Sequence, residues 1–496
     1  MSKPRDKGRG PAKRGAGDDR KYTAGRPKPS APKRGGGGAG GGARGGGAGQ
    51  GGRDPYTRPL REDLVHAAAL EAYGLVRHEG RLADRALDTT LRARKHLWSQ
   101  ERRAVAERVY ALLRRQRTVD WMLARVAPDL ERRPATDLDL LRLCASRVLH
   151  GEEPNVVAKG ALLSFADAVV LEHLPEAAAA LLELPFEQRF PIQASLPDFL
   201  AARFIAEFGT DAERVMEAMN ERAPLCARVN PLKSDRDALM ARLGEEEVTC
   251  RPTPFSPLGI FLETRTNAFS LPAFRDGLFE LQDEGSQLLG MLVDAPPTKV
   301  VDACAGAGGK TLQLAAQMKN RGELYALDVE DYRLDELRRR ARRAGVHNAR
   351  VRLIPASGEE ALAAIADLRG IADRVLVDAP CSGTGTFRRK PDARYRLKPG
   401  DLEMHTARQR ELLARFSTLV KPGGRLIYGT CSILQEENEA VVADFLAAHP
   451  DFSVYDVSQL LPAGVASQVN RNGFLRLFPH VHGTDGFFGA VLMRKK

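Results

Sequence analysis

The chain of 496 residues has only six cysteines, and no two of them form a CxxC pair. That absence argues against a zinc site or a disulfide framework and points to a reducing compartment. No apolar run approaches the ~18 residues that a membrane span needs, and no secretory h-region is present. A cytoplasmic protein with no membrane contact and no metal is therefore expected. Most of the chain also lacks net charge. Beyond residue 53 there are 61 basic and 61 acidic residues, so the formal excess of +11 lies wholly in residues 1–53. That tail holds fourteen Lys/Arg against three Asp, and its stretch 35–52 is nearly all Gly and Ala. It has too little apolar mass to bury, so residues 1–55 are expected to be disordered. A flexible basic arm adds nonspecific attraction to phosphate backbones or simply solubilises the chain. Its glycine content argues against an amphipathic transit peptide.

What remains is ordinary for a globular protein, at 43% hydrophobic and 28% charged over the whole chain. The length allows two or three domains. Residues 60–185 read as all helix. Ser99 is a candidate N-cap before a helix over 101–115, where Val105, Val109, Leu112 and Leu113 share one face. Leu82, Ala86 and Leu91 mark a helix ahead of it, and 138–149 and 156–171 add two more. Arg102, Arg103, Arg108, Arg114, Arg115 and Arg117 are candidate RNA contacts or a solvated face. Residues 186–295 read as a small α+β lead-in with short strands near 225 and 279. In residues 296–496, strand patterns at 299–302, 323–327, 349–354, 374–377 and 425–428 alternate with helical ones at 311–318, 332–344, 359–366, 402–420 and 436–448. That order predicts an α/β, doubly wound parallel sheet with a crevice at the strand carboxyl ends. Residues 474–478 and 487–494 are expected to close it as an antiparallel hairpin.

The first of these strands leads into Asp302-Ala-Cys-Ala-Gly-Ala-Gly-Gly-Lys-Thr. Gly306, Gly308 and Gly309 let backbone approach a ligand at a helix start. A P-loop would fit Gly309-Lys310-Thr311 but needs glycine where Cys304 stands. A dinucleotide loop would fit Gly306 and Gly308 but needs glycine at Thr311. A third reading is an S-adenosylmethionine loop, with Asp328 ending the next strand where an acid meets ribose hydroxyls.

Two cysteines follow strands directly. Cys381 lies in Asp378-Ala-Pro-Cys-Ser-Gly and Cys431 in Gly429-Thr-Cys-Ser. Both strand ends are expected to open on one crevice, with Asp378 between the thiols. A thiolate adding to C6 of a pyrimidine makes C5 reactive toward a methyl sulfonium, which is covalent catalysis. A nearby acid would stabilise charge developing on the ring. Cys144, Cys226 and Cys250 read as packing residues. A Cys–His hydrolase using His405 would leave the glycine loop and Asp328 unexplained. A noncatalytic RNA-binding assembly factor on a methyltransferase fold is the alternative from another class.

These segments, with Arg228-Val-Asn, Gln282-Asp-Glu-Gly-Ser and Asp485-Gly-Phe-Phe, resemble the Sun family of RNA 5-methylcytosine methyltransferases. The resemblance covers roughly 190–496 and implies a Rossmann-like domain acting on small-subunit ribosomal RNA. It implies that Cys431 is the nucleophile, that Cys381 assists product release, and that Asp378 contacts the cytosine or lies beside the methyl donor. It places Cys304, Ala305, Gly306, Ala307, Gly308, Gly309, Lys310 and Asp328 around S-adenosylmethionine. The helical region resembles the NusB-type RNA-binding domain that precedes this catalytic unit in bacterial members, and a monomer is expected. The chain departs from the family pattern twice. Gly306 and Ala307 replace Ala and Pro, and the acid usual near the adenine is missing, with Ser357 or Glu359 left to fill its place.

Overall fold

Helical spacing of apolar residues builds the first part of the molecule. The computed structural model describes residues 58–127, 129–264 and 266–496, so the tail expected to be disordered lies outside the described residues. Helices Glu62–Arg77, Ala83–Ala93, Ser99–Val126 and Ala135–Leu149 enclose a core of Val65, Tyr73, Val105, Val109, Leu112, Leu123 and Cys144. Ser99 is not the cap. It is the first helical residue, because the Glu101 carboxylate reaches back to accept the Trp98 N–H at 2.8 Å and the Arg61 Nε–H at 2.7 Å. Leu82 stands outside its helix and is 45% exposed, contrary to the buried stripe expected. The expected helix over 156–171 is two, Pro154–Gly160 and Phe165–Glu172. Leu162 breaks it with a φ of 54°, and Ser164 caps the second piece by accepting the Asp167 N–H at 3.2 Å.

The basic positions on the long helix turn mostly inward. Arg102 donates to Leu91 O at 2.7 Å, Arg108 to Glu62 at 2.9 Å, Arg114 to Arg388 O at 3.1 Å and Arg115 to Gln193 O at 3.3 Å. Arg117 pairs with Asp198 at 2.7 Å. Arg102 and Arg108 tie the long helix to the helices before it, and Arg114, Arg115 and Arg117 tie it to later segments, so a freely solvated face is not what these five form.

Next comes a small antiparallel sheet. Its strands β1 (Leu225–Val229), β2 (Cys250–Pro252), β3 (Gly259–Leu262) and β4 (Phe279–Leu281) run in the order β2-β3-β1-β4. Helix Arg236–Glu245 covers one face through Leu239 and Leu243.

The main sheet contains β5 (Lys299–Asp302), β6 (Glu323–Asp328), β7 (Ala349–Leu353), β8 (Ala372–Asp378), β9 (Val420–Thr430), β10 (Phe452–Val454), β11 (Asn470–Arg471), β12 (Phe474–Leu477) and β13 (Phe487–Arg494). Its order is β11-β12-β13-β9-β8-β5-β6-β7, with β10 added on β13. Strands β5 to β9 are parallel, and β13 runs antiparallel between β9 and β12. The expected hairpin of β12 and β13 is present, and β9 extends well beyond the four residues read for it. Chain order reverses at β5, which lies between β6 and β8, so a crevice opens beyond its carboxyl end.

The register brings the two cysteine loops together. Asp378 at the end of β8 stands opposite Gly429 on β9, and Ala379 N–H donates to Gly429 O at 2.8 Å. The segment after Cys381 then bonds to several distant parts of the chain. Arg388 and Arg389 bond Asp485 at 2.5 Å each, Arg389 also bonds Asp283 at 2.7 Å, and the fully buried Arg394 reaches Asn220 at 2.7 Å and Ala194 O at 3.0 Å. Gly385 sits where these strands converge. Its N–H donates to Cys431 O at 2.9 Å, and a Cβ there would lie 2.3 Å from Gly486 O and 2.8 Å from Cys431 O. Backbone on both sides cannot yield cheaply. Gly385→Ala is expected to cost about 1–3 kcal/mol and lower the melting temperature, which a calorimetric scan would read.

Candidate active site

The turn after β5 is built by local constraint. Asp328, at the end of the adjacent strand β6, accepts the Gly306 N–H at 2.7 Å and the Glu330 N–H at 2.9 Å. Gly306 takes a φ of 52°, and Gly308 one of 89° at the cap of helix Gly309–Gln317. A Cβ at Gly306 or Gly309 would meet nothing within 4 Å, so both face open space. Gly308 differs from its expected role. A Cβ there would come within 2.7 Å of Leu337, so this glycine admits a helix neighbour and does not line the cleft.

The cleft holds about 580 Å³ and is lined by Cys304–Ala307, Gly309, Lys310, Asp328, Asp378, Cys381 and Cys431. That volume suits a small-molecule site, for which roughly 300–1,000 Å³ is usual. Ile354, Leu412 and Phe416 give it an apolar wall. Ser357 and Glu359 are exposed and are not among the lining residues. In their neighbourhood Arg408 and Arg415 line the cleft and donate to Ala356 O at 2.5 and 2.9 Å. His405, on the same helix Asp401–Ser417, is not among the lining residues either. A larger groove of about 920 Å³ lies elsewhere, lined by Arg102, Arg103, Arg222 and Arg251. It contains neither thiol nor the glycine loop.

The sulfur atoms of Cys381 and Cys431 stand 3.3 Å apart, within hydrogen-bond range for thiols. With Cys381 donating, the Cys431 thiol falls below its ordinary value; Lys310 and Lys390 act the same way, against burial and Asp378. The same bond, together with burial and the charge of Glu437, pushes the Cys381 thiol well up. Cys431 is thus the sulfur that ionises first. Asp378 is paired with Lys310, Nζ to Oδ2 at 2.7 Å. The other thiols behave differently: burial pushes Cys144 up to about 12 and raises Cys226 and Cys304 as well.

Asp302, at the end of β5, accepts the Thr311 hydroxyl at 2.7 Å on one oxygen, while the other is buried without a partner. Burial raises its carboxyl to about 7.

Sequence reasoning missed Glu437, Asn438 and Gln409. The run Glu436-Glu437-Asn438-Glu439 was expected to open a helix, but the helix starts at Glu439, and Glu437 and Asn438 are fully buried. A surface-looking acidic run gave no sign of this; the one available signal was an asparagine beside three acids after a Thr-Cys-Ser strand end.

With this geometry in hand, comparison with known proteins is decisive. Residues 291–493 match the family model for the 16S rRNA methyltransferase RsmB/F, and residues 196–268 match the ferredoxin-like domain of RsmF/B-like methyltransferases. A probable ribosomal RNA small subunit methyltransferase B from Synechocystis is 31% identical over 436 residues, covering 83% of this chain and 95% of the relative. The chain belongs to the RsmB/F methyltransferase family. A probable ribosomal RNA small subunit methyltransferase B from Bacillus subtilis is 30% identical, covering 88% of this chain and 100% of the relative. The crystal structure of PH0851 superimposes with a TM-score of 0.70 at 26% identity, covering 89% of this chain and 100% of the other. The cofactor of this RsmB/F methyltransferase is S-adenosylmethionine. The cleft fits it: open space at two glycines, an apolar wall, and carboxylates at the ends of β5 and β6 suit a cationic amino acid joined to a nucleoside.

Two outcomes follow from the ionisation states. Cys381→Ala removes the donor but leaves Cys431 in the same surroundings, so its titration moves up. Alkylation of Cys431 by iodoacetamide at pH 7 should slow by about tenfold for each pKa unit gained, as peptide mass spectrometry would quantify. Asp302 is raised in the folded state, so its penalty is absent below its unfolded value of about 3.9. The penalty grows as pH rises and is complete above about 7. The ligand-free protein should lose melting temperature across that window, and Asp302→Asn should flatten the loss.

Proposed function

We propose that this methyltransferase acts on a cytosine C5 of small-subunit ribosomal RNA through a covalent bond from Cys431. The observation that supports this most is the thiol pair, 3.3 Å apart in the lining of the cleft that includes the glycine loop. A lone buried cysteine would be inert packing, but a lowered thiol beside a donor thiol is a nucleophile with an assistant.

S-adenosylmethionine, when bound, supplies an electrophilic methyl group on a sulfonium. Cys304–Ala307, Gly309 and Lys310 would hold its amino-acid end, and Asp328 would take the ribose hydroxyls with its remaining lone pairs. The Cys431 thiolate bonds to C6 of the cytosine, and the displaced ring electrons make C5 nucleophilic enough to accept the methyl group. A base then takes the C5 proton, the C–H electron pair restores the double bond, and the C6–sulfur bond breaks to return the thiolate. Cys381 donates to that departing sulfur. Lys310 keeps donors beyond its bond to Asp378, and these meet the charge that develops on the ring during attack. Asp378 orients the ring by accepting from its amino group.

The helical region 60–185 serves as a NusB-like RNA-binding module in this reading, 186–295 as the lead-in and 296–496 as the catalytic domain. Splayed, single-stranded bases are what such an active site reads.

Cys431→Ala should abolish methyl transfer to small-subunit RNA while S-adenosylhomocysteine still binds by calorimetry. Full activity in that variant would refute the nucleophile. Cys381→Ala should accumulate a protein–RNA adduct that survives a denaturing gel, since the first bond still forms and its release is impaired. Normal turnover with no adduct would remove Cys381 from the reaction.

A further inference from the structure

Two neighbouring buried residues bracket the two thiols. Glu437 accepts the Ser382 N–H at 2.8 Å and the Gln409 side-chain N–H at 3.0 Å on one oxygen, and the Ser382 hydroxyl at 2.5 Å on the other. Gln409 also donates to Pro380 O at 3.1 Å. The residues on both sides of Cys381 are thereby fixed from one carboxylate. Asn438 does the same for Cys431. Its side-chain oxygen accepts the Thr430 hydroxyl at 2.6 Å, and its amide donates to Ser432 O at 3.0 Å. The Tyr428 hydroxyl anchors the turn itself by donating to Glu437 O at 2.7 Å. Ser432 and Thr384 then join the two loops, their hydroxyls 2.9 Å apart.

We infer that Glu437 and Asn438 are positioning residues that set the thiol-to-thiol contact and assign its shared proton to Cys381. The inference rests on the two-thiol reading above. Position comes from the bracketing bonds, and the proton assignment comes from an asymmetry of charge. The carboxylate of Glu437 bonds the Ser382 N–H next to Cys381 and its charge raises that thiol, whereas the charges of Lys310 and Lys390 lower Cys431. Asp378 opposes the lysines in part, but it is itself bonded to Lys310. Burial, with the charges of Cys381 and Glu437, raises the Tyr428 phenol and keeps it neutral. The amide of Asn438 is neutral, so the bracket around Cys431 adds no charge that would hold a proton there. An acid bonded to the residue beside one thiol and an amide bonded to the residues beside the other is an arrangement that makes identical side chains unequal.

The test labels the full chain with limiting iodoacetamide and measures carboxamidomethyl Cys381 against Cys431 by mass spectrometry between pH 6 and 9. It needs no RNA and no methyl transfer, so it separates this inference from the reaction proposed above. Wild type should label chiefly at Cys431. Glu437→Gln keeps the shape and removes the charge, so labelling should shift toward Cys381 by up to about tenfold, the ratio of one pKa unit. An unchanged ratio in a Glu437→Gln protein that still binds S-adenosylhomocysteine overturns the inference, whatever happens to turnover. Should that variant fail to fold, Asn438→Asp keeps the acceptor for Thr430 and adds charge on the other side. It should move Cys431 labelling to higher pH, and an unmoved profile overturns the inference equally. Wild type that labels indiscriminately would overturn the two-thiol reading as well.

Discussion

One contact stands at the centre of the cleft in the main sheet: two sulfur atoms 3.3 Å apart, carried on loops that leave neighbouring parallel strands. Thiols so close cannot both be ionised, because the second charge would face the first in a partly desolvated place. The pair therefore titrates unequally. Much of the surrounding structure serves to hold that inequality. The register of β8 on β9 sets the spacing, Gly385 lets the backbones close, and the Glu437–Asn438 turn ties down both loops from behind. The charges of Lys310 and Lys390 favour ionisation of Cys431.

The same logic explains an arginine-rich interior. Arg388, Arg389 and Arg394 follow Cys381 closely, and their forks reach Asp283 after the small sheet, Asp485 ahead of β13, and Ala194 and Asn220 at the ends of lead-in helices. Buried guanidinium groups are costly unless every neighbour is polar and well placed. Here they bind the segment after Cys381 to parts of the chain about a hundred to two hundred residues away in sequence. Two bonds also join the helical region to this segment directly, Arg114 to Arg388 O at 3.1 Å and Arg394 to Arg114 O at 3.3 Å.

Much of the main sheet was legible in the sequence, because alternating short apolar runs and amphipathic stretches have few solutions. The thiols, Asp378 and the glycine loop stood out for the same reason: each follows a strand directly, so topology alone sends them to one crevice. What escaped was tertiary. Glu437 reads as one acid in an acidic run, and only the folded chain reveals that it is buried against Ser382 and Gln409. Gly308 looked like a ligand glycine but makes room for Leu337. Ser99 looked like a cap until Glu101 took the Trp98 N–H. The arginines of the long helix read as RNA contacts or a solvated face, yet Arg108, Arg114, Arg115 and Arg117 find partners on segments that no local pattern announces.

The central claim is a bond between the Cys431 sulfur and a cytosine ring. RNA carrying 5-fluorocytidine tests it most directly, since fluorine at C5 cannot leave as a proton does and the reaction should halt after methyl transfer. Peptide mapping of the halted complex formed with S-adenosylmethionine should find the methylated nucleotide on the peptide that contains Cys431. A nucleotide on Cys381, or no covalent complex at all while ordinary RNA is methylated, would contradict the account.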